Sequence, residues 1–115
     1  MANIDRNTTV GCMREAKRGE NNTLIIKLLP KADPMAIIHG ICLRVYKTVS
    51  NALVNEGIAK LLCKAGVPVS DAARAAKENG QLVIPLSIEM PPNCNILFFY
   101  RKGGRSVSGI PFTIP

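Results

Sequence analysis

The segment NILFFYRKGGRS, from Asn95 to Ser106, contains the strongest strand and turn signals in this chain. Asn95 to Tyr100 is largely apolar at both sets of alternating positions, which is typical of a strand covered on both faces. Gly103-Gly104 then suits a two-residue hairpin loop, because both central positions of such a turn require positive φ angles. Apolar residues alternate again from Ile110 to Ile114, which predicts a returning strand. The sequence therefore predicts a C-terminal β-hairpin.

Two prolines restrict how the returning segment pairs. Pro111 and Pro115 are four residues apart, so their backbone nitrogens point to the same side of a strand. Because proline has no N–H group, that side lacks two hydrogen-bond donors, which suits an edge strand or a detached arm. Residues 107–115 are therefore predicted to form an extended C-terminal arm that either clasps a neighbouring subunit or packs on its own core. If it clasps a neighbour, the predicted oligomer interface consists of Phe98, Tyr100, Ile110, Phe112 and Ile114.

A second hairpin is predicted near the N-terminus. TLIIKLL, residues 23–29, is almost continuously apolar and is followed by Pro30, as expected for a buried strand. The preceding RGENN, residues 18–22, is rich in turn-forming residues. We therefore expect residues 9–17 to pair with residues 23–29.

Between the hairpins the period of the apolar residues changes. Asp33-Pro34 is typical of a helix start, with an N-cap and a proline in the first turn. A stripe at helical spacing follows: Ile37, Ile38, Ile41, Cys42, Val45, Tyr46, Val49 and Leu53. This pattern predicts a long helix that bends or breaks at Gly57 and ends at Gly66. A shorter helix is predicted from Ser70 to Asn79, and a half-buried strand from Leu82 to Met90.

The predicted order is β-β-α-α-β-β, which is an α+β fold. We expect a mostly antiparallel sheet built from the N- and C-terminal hairpins, with two or three helices in the middle and room for a fifth, edge strand. A length of 115 residues is that of one compact domain, spanning residues 1–115.

The chain is basic, and its charge points to a polyanionic partner. Fifteen Lys and Arg residues against eight Asp and Glu residues give a net charge of +7, which favours nucleic acid through long-range attraction and counterion release. The charge is spread along the chain, so any basic surface has to be assembled by folding. The predicted nucleic-acid-binding residues lie near the tips of the two hairpins: Arg101, Lys102 and Arg105, and Arg14, Lys17 and Arg18.

The Gly-Gly tip gives the sharper argument for an anion. A two-residue loop at Gly103-Gly104 would set Lys102 directly opposite Arg105, and like charges in that arrangement repel. A phosphate between them would relieve the repulsion, and the loop amides could help to hold it. Phe99 and Tyr100 could stack on bases, although we expect both rings to be buried. Cations at a hairpin tip also prevent edge-to-edge aggregation, so they do not require a ligand.

No catalytic or metal-binding pattern is found. His39 is the single histidine and has no nucleophile or orienting group at a recognisable spacing. The eight acids are scattered, the four cysteines lack the spacing of a zinc site, and no phosphate-binding loop is present. We therefore expect a non-enzymatic protein with no cofactor, and reduced cysteines.

The N-terminus does not resemble a signal peptide, and no apolar run is long enough for a membrane span. These observations predict a cytoplasmic protein that does not bind membranes. Its predicted function is that of a small oligomeric protein that binds single-stranded RNA or DNA with little sequence specificity. Two alternatives stay open: a structural or assembly subunit of a particle or scaffold, and an adaptor for an acidic protein.

Overall fold

The computed structural model describes residues 13–102 and 105–115, and the side chains of residues 13–100 and 112–115. The described chain forms seven strands and three helices. In chain order they are β1 (Met13–Arg18), β2 (Thr23–Leu28), α1 (Pro34–Gly40), β3 (Cys42–Tyr46), β4 (Ala52–Gly57), α2 (Ile58–Lys64), α3 (Val69–Asn79), β5 (Gln81–Pro85), β6 (Cys94–Lys102) and β7 (Arg105–Ile114).

The strands form two antiparallel sheets. The first sheet has the order β1-β2-β5, and the second has the order β4-β3-β6-β7. Each sheet alternates between buried and more exposed positions, as Leu24 and Ile26 show in β2 and Leu43 and Val45 in β3. The buried faces of both sheets and of the three helices contribute to one apolar cluster. The predicted α+β fold is confirmed.

The two sheets are in direct contact along one side and are separated by helices along the other. On one side β1 lies against β7. On the other side the helices lie between the edge strands, because α2 contacts both β4 and β5, α1 contacts β4, and α3 contacts β5. Edge strands with unpaired backbone groups promote aggregation, and flanking helices are one of the ways in which proteins protect them.

Hydrogen bonds from Arg18 stabilise the side of the molecule on which β1 meets β7. Its guanidinium donates to the backbone oxygens of Pro115 and Met90, each at 2.8 Å, and also to that of Pro91. These oxygens come from the end of the C-terminal strand and from the loop before β6. Hydrogen bonds with an ionised donor are stronger than neutral ones, so Arg18 holds three separate segments together.

The first predicted hairpin is confirmed within the described residues, while residues 9–12 of its first strand lie outside them. The connecting turn suits its residues, because Asn21 and Asn22 have φ angles of 56° and 57°, a region that asparagine tolerates well. Gly19 is required by space: a Cβ atom there would overlap Thr23 Oγ1 and would lie 2.9 Å from the Ile25 side chain. The turn therefore brings β1 and β2 together with little strain.

The long helix predicted after Pro34 is wrong over residues 42–57, which form the β3–β4 hairpin. The helical stripe omitted Leu43, which is fully buried, and Ile41, Leu43 and Val45 follow the two-residue period of a strand. Gly40 also disfavours helix continuation by about 1 kcal/mol relative to alanine. The same apolar residues fit both periods, and packing against β6 selects the strand.

The predicted helix ends are confirmed. The Asp33 carboxylate accepts a hydrogen bond from the Met35 N–H at 3.1 Å, as an N-cap does. Gly66 has a φ angle of 75° just beyond α2, and Gly80 has one of 71° at the end of α3. Glycine adopts this left-handed conformation without the steric cost that other residues incur.

The strand predicted from Leu82 to Met90 is shorter in the structure. β5 spans Gln81–Pro85 and ends where its partner β2 begins, since Pro85 pairs with Thr23. Leu86 and Met90 are nevertheless buried, so the apolar alternation beyond Pro85 reflects packing without strand pairing.

The C-terminal hairpin is confirmed by the pairing of β6 with β7, with Lys102 opposite Arg105. Gly103-Gly104, the loop between them, lies outside the described residues. Residues 107–114 of the predicted arm belong to β7 and pair with β6 of the same chain as the edge strand of the second sheet. No helix among the described residues is both long and apolar enough to cross a membrane.

We predict that Arg18→Ala lowers the free energy of unfolding by about 2 kcal/mol, because three backbone oxygens lose a charged donor in a partly buried setting. Lys17→Ala on the same strand is the matched control, since Lys17 is exposed and surface changes cost within about 0.5 kcal/mol. Urea denaturation measures both. Equal stability of the two variants would contradict the role given to Arg18.

Candidate nucleic-acid interface

In β3 and β6, the two central strands of the second sheet, every second side chain points away from the core. Leu43 and Val45 of β3 point inward with Ile96 and Phe98 of β6. The alternate residues form the outward side, which we call the outer face of the second sheet. Its central members are Cys42, Arg44, Tyr46, Asn95, Leu97 and Phe99.

Arg44 and Phe99 form the most defined contact on this face. The Arg44 guanidinium carbon lies 5.0 Å from the centroid of the Phe99 ring. Phe99 is 1% exposed, yet it does not belong to the core cluster. A cation over an aromatic face is attracted by the ring quadrupole. The contact therefore holds the guanidinium of Arg44, a partly exposed residue, over a buried ring.

Polar groups and one further aromatic ring surround this pair. Register places Arg44 between Asn55 of β4 and Leu97 of β6, and Tyr46 directly opposite Asn95. Tyr46 and Asn95 are both partly exposed. Thr113 of β7 donates a hydrogen bond to Asn95 Oδ1 at 3.2 Å. The face thus combines an aromatic ring, a planar cation, amides and a hydroxyl.

The described part of this face carries no acidic residue. The acid of β4, Glu56, lies opposite Leu43, whose side chain points inward. Its carboxylate bonds Lys64 at 2.6 Å and lies 3.8 Å from Lys60. Lys47 follows β3 directly and is exposed. Within the described residues, no acid on this face balances the charge of Arg44.

The basic tip predicted for the C-terminal hairpin lies at one end of the same sheet. Arg101 and Lys102 end β6 two and three residues after Phe99, and Arg105 begins β7. The backbone register sets Arg101 opposite Ser106 and Lys102 opposite Arg105. The side chains of the three cations lie outside the description, so their part in binding stays a prediction.

The two basic hairpins lie at opposite ends of the second sheet. Arg18 bonds the backbone of Pro115, next to Ile114, and Ile114 pairs with Cys94 at the start of β6. Lys102 is eight residues further along β6, which is roughly 26 Å at the usual rise of a strand. The two tips therefore do not form one continuous surface. The guanidinium of Arg18 also donates its hydrogen bonds to backbone oxygens of the protein itself.

Arg14 and Lys17 lie on the outer face of the first sheet. The pairing register shifts between Met13 and Glu15, and as a result both Arg14 and Glu15 point outward. Two exposed residues therefore lie between the buried residues Met13 and Ala16. Lys27 of β2 is exposed on the same face, directly opposite Glu15. Our sequence analysis missed Lys27, although the two-residue period of TLIIKLL places it on the polar side.

The predicted oligomer-interface residues pack within their own chain. Phe98, Tyr100 and Ile114 are buried. Phe112 is partly buried, and its ring meets that of Phe98 edge to face with centroids 5.7 Å apart. The side chain of Ile110 lies outside the description. A role for these residues between subunits stays a prediction.

Comparison of the chain with protein-family models, with curated proteins and with solved structures finds no match. Within the described residues, no group of three or more His, Cys, Asp or Glu side chains could hold a metal ion. Cys42, Cys63 and Cys94 are free thiols.

We predict that Arg44→Met lowers the free energy of unfolding by about 0.5–1 kcal/mol, since methionine keeps an apolar stem over Phe99 but loses the cation–π attraction. Arg74→Met is the control, because Arg74 makes an exposed ion pair with Asp71 at 2.8 Å, and exposed pairs contribute little. Thermal or urea unfolding distinguishes the two. A larger loss for Arg74→Met would be inconsistent with the Arg44–Phe99 contact.

Proposed function

We propose that the protein binds single-stranded nucleic acid, with the outer face of the second sheet as the contact surface. The observation that carries the proposal is the Arg44 guanidinium held over Phe99, with Tyr46 beside it, on a face without a described acid. Aromatic rings and guanidinium planes stack on unpaired bases, and a sheet face presents them in rows.

The charge of the whole chain supports the same partner. A net charge of +7 favours association with a polyanion, and Lys47 adds a cation beside the face. Asn55 and Asn95 offer amides that can donate to or accept from the edges of bases. Arg101, Lys102 and Arg105 lie at the end of the same sheet, where they can neutralise phosphates of a strand that runs along β6.

Unpaired bases distinguish this proposal from simple attraction to a polyanion. A duplex keeps its bases stacked inside, so it offers phosphates to the cations but no ring faces to Tyr46 and Arg44. Single strands are therefore the preferred ligand. A cytoplasmic location, self-association and a structural or assembly role stay predictions beside this proposal.

We predict that Tyr46→Ala and Arg44→Ala each weaken binding of a fluorescein-labelled decathymidylate by about tenfold, since one stacked base contributes about 1–3 kcal/mol. Lys77→Ala on α3 is the control, because Lys77 is exposed and lies on a helix rather than on the second sheet. Fluorescence anisotropy measures the three affinities. Equal losses for Arg44→Ala and Lys77→Ala, with no loss for Tyr46→Ala, would mean that only net charge matters.

We predict that replacing Arg101, Lys102 and Arg105 together by alanine reduces the salt dependence of binding. Each phosphate contact contributes about 0.7 to the slope of log affinity against log salt for single strands, so three contacts contribute about 2. Anisotropy titrations between 50 and 200 mM NaCl give the slopes of the native protein and the variant. An unchanged slope would show that the three cations of the tip do not contact phosphates. Binding by the sheet face would then be tested by Tyr46→Ala alone.

A further inference from the structure

One row of side chains across the outer face of the second sheet has a defined hydrogen-bonding direction. The register places Tyr46 of β3 opposite Asn95 of β6, and Asn95 opposite Thr113 of β7. The Thr113 hydroxyl donates a hydrogen bond to Asn95 Oδ1, with the two oxygens 3.2 Å apart. The amide oxygen of Asn95 is therefore directed toward β7.

The direction of this oxygen determines what Asn95 offers on its other side. The oxygen and nitrogen of a primary amide lie on opposite sides of the Cγ atom, so an oxygen that points to β7 directs Nδ2 toward β3 and Tyr46. Nδ2 carries two hydrogens and makes no hydrogen bond within the described residues. On the side of Tyr46, Asn95 thus presents donors.

The other side chains around Tyr46 on this face are donors or apolar. Arg44 lies two residues earlier on β3, and its guanidinium N–H groups make no hydrogen bond or ion pair within the described residues. Lys47 follows Tyr46 and is exposed. Ala52, opposite Tyr46 on β4, has no polar atom in its side chain. Toward Tyr46, the described side chains of this face therefore present donors.

A set of donors distinguishes two chemical classes of base. Uracil, thymine and guanine carry an exocyclic carbonyl where cytosine and adenine carry an amino group, so we call the first class keto bases and the second amino bases. A carbonyl can accept from Asn95 Nδ2, whereas an amino group would meet it donor against donor. An amino base would lose its bond to water there and gain no partner, which disfavours its binding.

We propose that Asn95 selects keto bases at the position where a base stacks on Tyr46, and that Thr113 holds the Asn95 amide in the selecting orientation. Nδ2 donates to O4 of uracil or thymine, or to O6 of guanine. Thr113 is a positioning residue, because it acts through Oδ1 of Asn95 and does not touch the base. The inference rests on the proposed binding of single strands and names the class of strand preferred.

The preference is measured with fluorescein-labelled decadeoxyuridylate and decadeoxycytidylate, which share the same sugars and phosphates and differ only in the keto or amino character of the base. Fluorescence anisotropy is recorded at slightly alkaline pH, where cytosine is neutral. We expect uridylate to bind about fivefold more tightly, the contribution of about one neutral hydrogen bond. Equal affinities overturn the selection by Asn95 and leave the proposed function standing. No binding of either decamer at low salt overturns both.

The matched variants for the positioning role are Thr113→Val and Thr113→Ser. Valine keeps the β-branched shape but has no hydroxyl, so the Asn95 amide can turn over and the preference for uridylate should fall toward equal affinity. Serine keeps the hydroxyl and should retain the preference. Thr113 is exposed on an edge strand, so both variants should fold, which circular dichroism checks. A native preference in Thr113→Val contradicts the role given to Thr113.

Asn95→Asp tests the selecting residue itself. The change keeps the size of the side chain and the oxygen that Thr113 bonds, but replaces Nδ2 by an acceptor. The added charge weakens both decamers alike, while the new oxygen accepts from the cytosine amino group and repels uracil O4, so the preference should reverse. Asn79→Asp is the control, because Asn79 is exposed at the end of α3; it should leave the preference unchanged. A native preference in Asn95→Asp overturns the inference.

Discussion

Both sheets bury one face in the same apolar cluster, and that shared burial determines which side chains remain outside. Leu24, Ile26, Leu43, Val45 and Phe98 are fully buried at alternating strand positions, so their neighbours in sequence must point outward. This constraint brings Arg44 and Tyr46 onto one face of the second sheet. Arg18 then fastens the side where β1 meets β7 by donating to three backbone oxygens.

The parts of the fold with strong local signals could be predicted from the sequence. The Asp33-Pro34 helix start, the glycines that end α2 and α3, and the two hairpins each depend on residues close together in the chain. Residues 42–57 show the limit of such reasoning. Ile41 and Val45 fit a helix and a strand equally well, and the choice depends on β6, which lies about 50 residues further along the chain.

The candidate site was less predictable than the fold, because it depends on register. The basic tips were visible in the sequence, but Arg18 was expected to bind nucleic acid, whereas its donors bond carbonyls more than 70 residues away. Arg44 is not among the residues that the sequence predicts to bind nucleic acid. Once residues 42–46 form a strand beside β6, the same arginine lies over Phe99. No local pattern contains that contact, because it joins residues 55 positions apart.

We propose that the outer face of the second sheet contacts single-stranded nucleic acid. The most direct measurement is a titration of the isotope-labelled protein with decathymidylate, followed by NMR chemical shifts of assigned backbone and side-chain resonances. We expect the largest changes at Arg44, Tyr46, Asn55 and Asn95, with small changes on α3. Changes confined to α3 or to the first sheet, or none at low salt, would contradict it.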